Sequence, residues 1–249
     1  MPWNAHRQAT QKIGILPVKS VQLEIHFILY KPSVPGNVGA AARAIKTMGF
    51  SHLRLIKPCD HLSEKALMLA HGSHEVLRSA SVFDDFESAV AGLDLVICTT
   101  AKKRTAKHDY HSSRQFRDFL ENKTDRLQKV GILFGTEESG LPNELILKSD
   151  MAMSIPMAGH YPSLNLAQSV MIAAYELSPL NQLEKPGQTL SKSGEGWGEL
   201  KYQTKQLLMN AGILEGSPLF HRIIERLSTA GSNDIPLFLS VISRINAKN

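Results

Sequence analysis

Three stretches of this chain set reactive side chains beside glycines that leave room for a ligand. In PGNVGAAARAIKTMGF, residues 35 to 50, Gly36 and Gly39 bracket the start of a helix and Arg43 follows about one turn later. Glycines there let backbone approach a ligand, and a first helical turn offers free N–H groups to an anion. The plainer reading is a tight turn, an alanine-rich packed helix and a solvated arginine. In ILFGTEESGLPNE, residues 132 to 144, Gly135 and Gly140 flank Glu137 and Glu138 on a loop. Two carboxylates suggest acid–base work, but adjacent residues point apart, and acids at a helix start also complement its dipole. In SIPMAGHYPSLNLAQSVMIAAYE, residues 154 to 176, a loop leads to Ser163 as a helix N-cap with Asn165 in the first turn. A fourth stretch crowds Lys102, Lys103, Arg104 and Lys107 with no acid before Asp109, which suits a phosphate track or a solvated loop.

The pattern around these stretches alternates. Leu23–Tyr30, Leu53–Ile56, Leu93–Thr99, Lys129–Phe134 and Ala152–Ile155 read as strands. Asn37–Met48, Ser63–Ala70, Phe83–Ala91, Ser112–Leu120, Asn143–Lys148 and Ser163–Leu177 read as helices. Strands separated by helices predict an α/β fold with a mostly parallel sheet covered on both faces. In such sheets ligands sit beyond the carboxyl ends of strands, where all four stretches lie. Residues 1–20 read as an amino-terminal extension, 21–178 as the α/β domain, 179–199 as a Gly, Ser and Pro-rich linker and 200–249 as a helical unit. In that unit Ser217 and Pro218 start a helix with Leu219, Phe220, Ile223, Ile224 and Leu227 on one face, stopped by Gly231. A last helix from about Asn233 carries Leu237, Phe238, Val241, Ile242 and Ile245 on one apolar stripe.

Several chemistries are excluded. The glycines read G-x-x-G, not the dinucleotide fingerprint, and no phosphate-loop string, H-E-x-x-H pair or G-x-S-x-G elbow occurs. No metal site is expected, and the two cysteines, Cys59 and Cys98, have no partner at ligand spacing, which fits a reducing compartment. With 249 residues, 43% apolar and 20% charged, the chain is an ordinary globular one. The amino terminus lacks a signal-peptide core, so the expected address is cytoplasmic. Met151–Tyr175 carries no charged residue, but Pro156, Gly159, His160, Pro162, Asn165 and Gln168 argue against a membrane span. The formal charge of +5 permits a polyanionic partner.

Taken together, Asn37, Gly39 and Arg43 (N-x-G-x-x-x-R), Phe134, Gly135, Glu137, Gly140 and Leu141 (F-G-x-E-x-x-G-L), and Ile155, Pro156, Met157, Ser163, Leu164, Asn165 and Leu166 (I-P-M…S-L-N-L) resemble the three motifs of the SpoU group of SPOUT RNA 2'-O-ribose methyltransferases, in order. The loop TTAKKRT and the helical carboxyl extension look most like the TrmJ-like tRNA methyltransferases. The resemblance implies a sheet whose carboxyl part is threaded as a trefoil knot, a homodimer, S-adenosylmethionine as cofactor, and transfer of its methyl to a ribose 2'-hydroxyl of RNA, expected to be tRNA in the anticodon loop. It places Thr99, Thr100, Ala101, Gly135, Ile155, Ser163, Leu164 and Asn165 on the cofactor pocket. It places Arg43 on the catalytic arginine, with Asn37, Glu137, Ser163 and Asn165 around it. Lys102, Lys103, Arg104 and Lys107 are expected to hold the RNA backbone.

A guanidinium holds its proton at neutral pH, so electrostatic stabilisation of a forming alkoxide suits arginine better than base catalysis. Thr136 stands where related tRNA enzymes often carry arginine. A relative that binds RNA without turnover is the alternative reading.

Overall fold

The computed structural model describes residues 23–101, 110–123, 127–159, 164–181, 196–231 and 234–246. The seven strands are β1 (Glu24–Tyr30), β2 (His52–Ile56), β3 (Ser81–Phe83), β4 (Leu95–Thr99), β5 (Tyr110–Ser112), β6 (Lys129–Phe134) and β7 (Met151–Ser154). All pair in parallel, in the order β3-β2-β1-β6-β4-β7-β5. The expected parallel α/β sheet is therefore present.

Alternation along β1 explains the layering. Ile25, Phe27 and Leu29 point to one face, and Ile28 points to the other. The first face is covered by α1 (Pro35–Thr47), α2 (Glu64–Leu69), α3 (His74–Arg78), α5 (Ser113–Glu121) and α7 (Leu166–Leu177). The second is covered by α4 (Phe86–Val90) and α6 (Asn143–Lys148), through Phe86, Ala89, Leu145 and Ile146. A strand buried on both faces reads as a continuous apolar run, as β1 and β4 do.

Two expected helices take other bounds. The helix expected over Phe83–Ala91 divides into β3 and α4, because the Asp85 carboxylate accepts the Ser88 amide at 2.7 Å and starts the helix there. The helix expected from Ser163 begins at Leu166: Asn165 is its N-cap, accepting the Ala167 amide at 2.8 Å, while Gln168 accepts the Asn165 amide at 3.1 Å. Ser163 lies outside the described residues. Short α3 and β5 went unread, being too brief for periodicity to show.

The carboxyl helices are α8 (Gly196–Asn210), α9 (Pro218–Ser228) and α10 (Asp234–Asn246). Helix α8 starts within the stretch read as linker, because Trp197 is buried and its indole N–H donates to the Asp94 carbonyl at 3.0 Å. Ser217 caps α9 through the Phe220 amide, but Leu219 is exposed, and Phe220 and Ile224 make the buried stripe. On α10 the buried residues are Ile235 and Ile242, while Leu237, Phe238, Val241 and Ile245 face outward. Gly196 leaves the space that Ile235 and Leu239 occupy, which turns that side of α10 to α8.

Candidate functional site

The loops after β4, β6 and β7 enclose a cavity of about 320 Å³. Its wall combines Thr99, Thr100 and Ala101 after β4, Phe134 to Leu141 after β6, Ile155 and Met157 after β7, and Leu164, Leu166 and Ser169 at the head of α7. Six of the residues expected to hold a cofactor thus meet on one surface: Thr99, Thr100, Ala101, Gly135, Ile155 and Leu164. Asn165 lies between two wall residues, Leu164 and Leu166. The Thr99 hydroxyl donates to the Leu133 carbonyl at 3.0 Å, tying β4 to β6 at the cavity mouth.

Glu137 joins the motifs. Its carboxylate accepts from the amide and hydroxyl of Ser33, both at 3.2 Å, from the Val34 amide at 3.3 Å and from the Asn37 side-chain amide at 3.1 Å. Asn165 in turn donates its side-chain N–H to Asn37 Oδ1 at 3.0 Å. Residues 100 or more positions apart in sequence are therefore linked as Glu137, Asn37 and Asn165. Burial pushes the Glu137 pKa up, but the hydrogen bonds from Asn37, Ser33 and Val34 outweigh it and hold the carboxyl below its usual range. An ionised carboxylate with this many donors is an anchor for the β1–α1 loop.

The glycines differ from their expected use. The anion at the head of α1 is Glu137 from the chain itself, through Val34, so that helix start is already occupied. A Cβ at Gly39 would strike the backbone of Ala66, and one at Gly36 would meet Leu69 at 2.8 Å. Both glycines permit α1 to pack on α2. Gly135 has a similar reason: a Cβ would come within 2.7 Å of the Gly140 Cα. It lets the β6–α6 loop fold back, with Gly140 at φ +70° and a bridge between Thr136 and Gly140.

Thr136 closes that loop by accepting the Ser139 amide at 3.2 Å, which gives the residue a local purpose. Arg43 is exposed on α1, outside the cavity wall. Seven residues after Gly36, it shares that helix side with Gly36 rather than with Asn37. Lys102, Lys103, Arg104 and Lys107 lie outside the described residues. Among the described residues no cluster of His, Cys, Asp and Glu could hold a metal ion.

Sequence reasoning missed Ser33 and Val34, which act through backbone amides that no side-chain motif reports. Ser169 on the wall belongs to no motif, and Met157, part of the third motif, was not expected on the pocket. The N-x-x-Q spacing of Asn165 and Gln168 was a readable cap signal.

The family model described as SpoU rRNA Methylase family matches residues 24–175. An Escherichia coli (strain K12) protein named "Uncharacterized tRNA/rRNA methyltransferase LasT" is 38% identical over 160 residues, covering 64% of this chain and 70% of that protein. The tRNA (cytidine/uridine-2'-O-)-methyltransferase TrmJ of Photorhabdus laumondii is 34% identical over 171 residues, covering 69% and 70%. Among solved structures, TrmJ from Z. mobilis ZM4 superposes with a TM-score of 0.63 at 28% identity, covering 89% of this chain and 98% of that one.

Proposed function

This chain belongs to the SpoU rRNA methylase family, and from that premise we propose that its carboxyl-edge site methylates ribose 2'-hydroxyls of tRNA, in the anticodon loop. It is an RNA methyltransferase whose cofactor is S-adenosylmethionine. The observation that carries the site assignment is the Glu137–Asn37–Asn165 relay beside the cavity.

The wall suits the cofactor. Apolar Phe134, Leu141, Ile155, Leu164 and Leu166 offer surface to an adenine, and neutral Thr99, Thr100 and Ser169 offer hydrogen bonds. Thr99, Thr100, Ala101, Gly135, Ile155, Ser163, Leu164 and Asn165 would hold it. When bound, it supplies an electrophilic methyl on sulfonium. The protein's part is alignment of the ribose oxygen and help with its proton. Asn37 and Asn165, fixed by Glu137, set the polar face that receives the ribose, and Ser163 joins them. Arg43 stabilises the forming alkoxide. Glu137 holds the loop that carries Asn37.

The active form in this reading is a homodimer, since Arg43 lies outside its own cavity wall and a second copy can bring that arginine to the site. Exposed Val34, Met68 and Leu69 near the head of α1 and on α2 support such contact. Lys102, Lys103, Arg104 and Lys107, which follow β4 in sequence, hold the RNA backbone. The cytoplasm is the expected place of work, in keeping with two cysteines that form no disulfide. Among the described residues no helix is long and apolar enough to cross a membrane.

Mass spectrometry of nucleosides from bulk tRNA incubated with the full chain and S-adenosylmethionine tests this. New 2'-O-methylated nucleosides are expected. Cofactor binding without any new ribose methyl would leave the RNA-binding relative without turnover as the better reading.

A further inference from the structure

The dipeptide Lys-Pro ends both β1 and β2, as Lys31-Pro32 and Lys57-Pro58. Lys31 has φ 46° and Lys57 φ 45°, and among the described residues no other non-glycine has positive φ. A residue before proline is pressed toward extended backbone, and a left-handed lysine is uncommon on its own account. Glycine or asparagine would take this turn more readily. The same costly conformation, on the same residue type, at two neighbouring strand ends calls for a reason in the side chain.

The backbone holds both lysines firmly. Tyr30 pairs with Ile56 in the β1–β2 ladder, and the Lys31 amide donates to the Ile56 carbonyl at 2.8 Å. The Lys57 amide donates to the Phe83 carbonyl at 2.9 Å, and the Cys59 amide to the Pro32 carbonyl at 2.9 Å, which ties the two loops together. The lysines therefore stand side by side, one strand spacing of about 4.8 Å apart. Both side chains are exposed, with the Lys31 ammonium 5.3 Å over the Tyr30 ring and Lys57 close enough to Asp85 to act on its charge. Neither is in an ion pair among the described residues, as is true of exposed Lys65, whereas Lys46, Lys129, Lys148, Lys201 and Lys205 are. The nearby carboxylates of Asp60 and Asp85 are engaged by the amides of Leu62 and Ser88.

Their place gives the pair its use. Strand β1 lies next to β6, whose end opens the cavity, and Ser33, two residues beyond Lys31, donates to Glu137. We propose that Lys31 and Lys57 form a phosphate clamp that grips the RNA backbone on the β1–β2 side of the cavity. The inference rests on the RNA reading above and adds a contact to RNA on the β1–β2 side. Two ammonium groups one strand spacing apart suit a phosphodiester, whose position they fix without reading a base.

The test titrates bulk tRNA with the full chain at several salt concentrations. Replacing both lysines by alanine should flatten the slope of log affinity against log salt by roughly 0.7 to 0.9 units, the share of the one phosphate they clamp. Lys31→Gly with Lys57→Gly relieves the left-handed backbone, so its melting temperature should be equal or higher while the slope falls equally. Lys31→Arg with Lys57→Arg should restore the slope. S-adenosylmethionine affinity should stay unchanged throughout. An unaltered slope in the glycine pair, with wild type still binding and methylating tRNA, overturns the clamp alone. Wild type that binds the cofactor but neither binds nor methylates tRNA overturns the RNA reading and the clamp with it.

Discussion

Glu137 and Asp150 sit at opposite ends of the same sheet, and both are carboxylates held by donors from distant parts of the chain. Glu137, at the carboxyl edge, is partly exposed and gathers donors from the β1–α1 loop beside a cavity. Asp150, at the amino edge, is 2% exposed, accepts the Val96 amide at 2.8 Å and pairs with Lys201 of α8 at 2.5 Å. Around it, Trp197 donates to the Asp94 carbonyl, and Lys123 donates to the carbonyls of Ser228 and Ala230 at 2.8 and 2.9 Å. One edge spends its polar groups on shaping a site. The other spends them on docking a helical tail. Function and stability are thus separable by substitution along the strand direction.

The largest effect is expected from Arg43→Ala: loss of at least about a hundredfold in methyl transfer, with S-adenosylmethionine affinity within a few-fold and an unchanged melting temperature. Calorimetry beside a transfer assay checks it, and retained activity would remove Arg43 from the chemistry. Gly135→Val should come next at this edge. Its side chain would enter the Gly140–Leu141 backbone, so cofactor binding is lost and stability falls by about 1–3 kcal/mol, read by calorimetry and denaturant titration.

At the amino edge the order of effects reverses. Asp150→Ala strands a partly buried Lys201 and a Val96 amide, so a loss of about 2–3 kcal/mol in denaturant titration is expected, with cofactor affinity intact. A fall in cofactor affinity of the folded variant would break the separation between the edges.

The sequence made much of the carboxyl edge legible, for a physical reason. Glycines flanking Glu137, the Asn37 to Arg43 spacing and the third motif are local strings tied to strand ends. Their assembly through Glu137 is non-local, and backbone donors such as Ser33 leave no mark in a side-chain pattern. The same limit hid the purpose of Gly36 and Gly39, whose reason is Ala66 and Leu69 on the next helix. At the amino edge almost nothing was legible: Trp197 read as linker, and Asp94, Asp150 and Lys123 belong to no motif. Apolar residues run around much of α10, so the stripe expected through Leu237, Phe238, Val241, Ile242 and Ile245 was the wrong side, and Ile235 with Ile242 is the buried one.

A smaller effect concerns His26. Burial first, then the charges of Arg54 and His52, lower its pKa to about 4, and its Nδ1 accepts from Arg54 Nε at 3.2 Å. The folded state therefore disfavours the protonated form that the unfolded chain takes up near pH 6.5. The stability from neutral His26 is complete above about 6.5 and is lost as pH falls toward about 4. Denaturant midpoints across that window should fall for wild type and flatten for His26→Gln; equal slopes would contradict it. Smallest is Trp197→Phe, which keeps the ring and loses one hydrogen bond to Asp94, for about 1 kcal/mol in the same titration.

The Asn37–Asn165 hydrogen bond makes the first and third motifs one unit. A double-mutant cycle on methyl transfer to bulk tRNA, with Asn37→Ala, Asn165→Ala and both together, tests it directly. Strong coupling is expected, with the double variant losing little more than the worse single one. Losses that simply multiply would show two independent groups and contradict it.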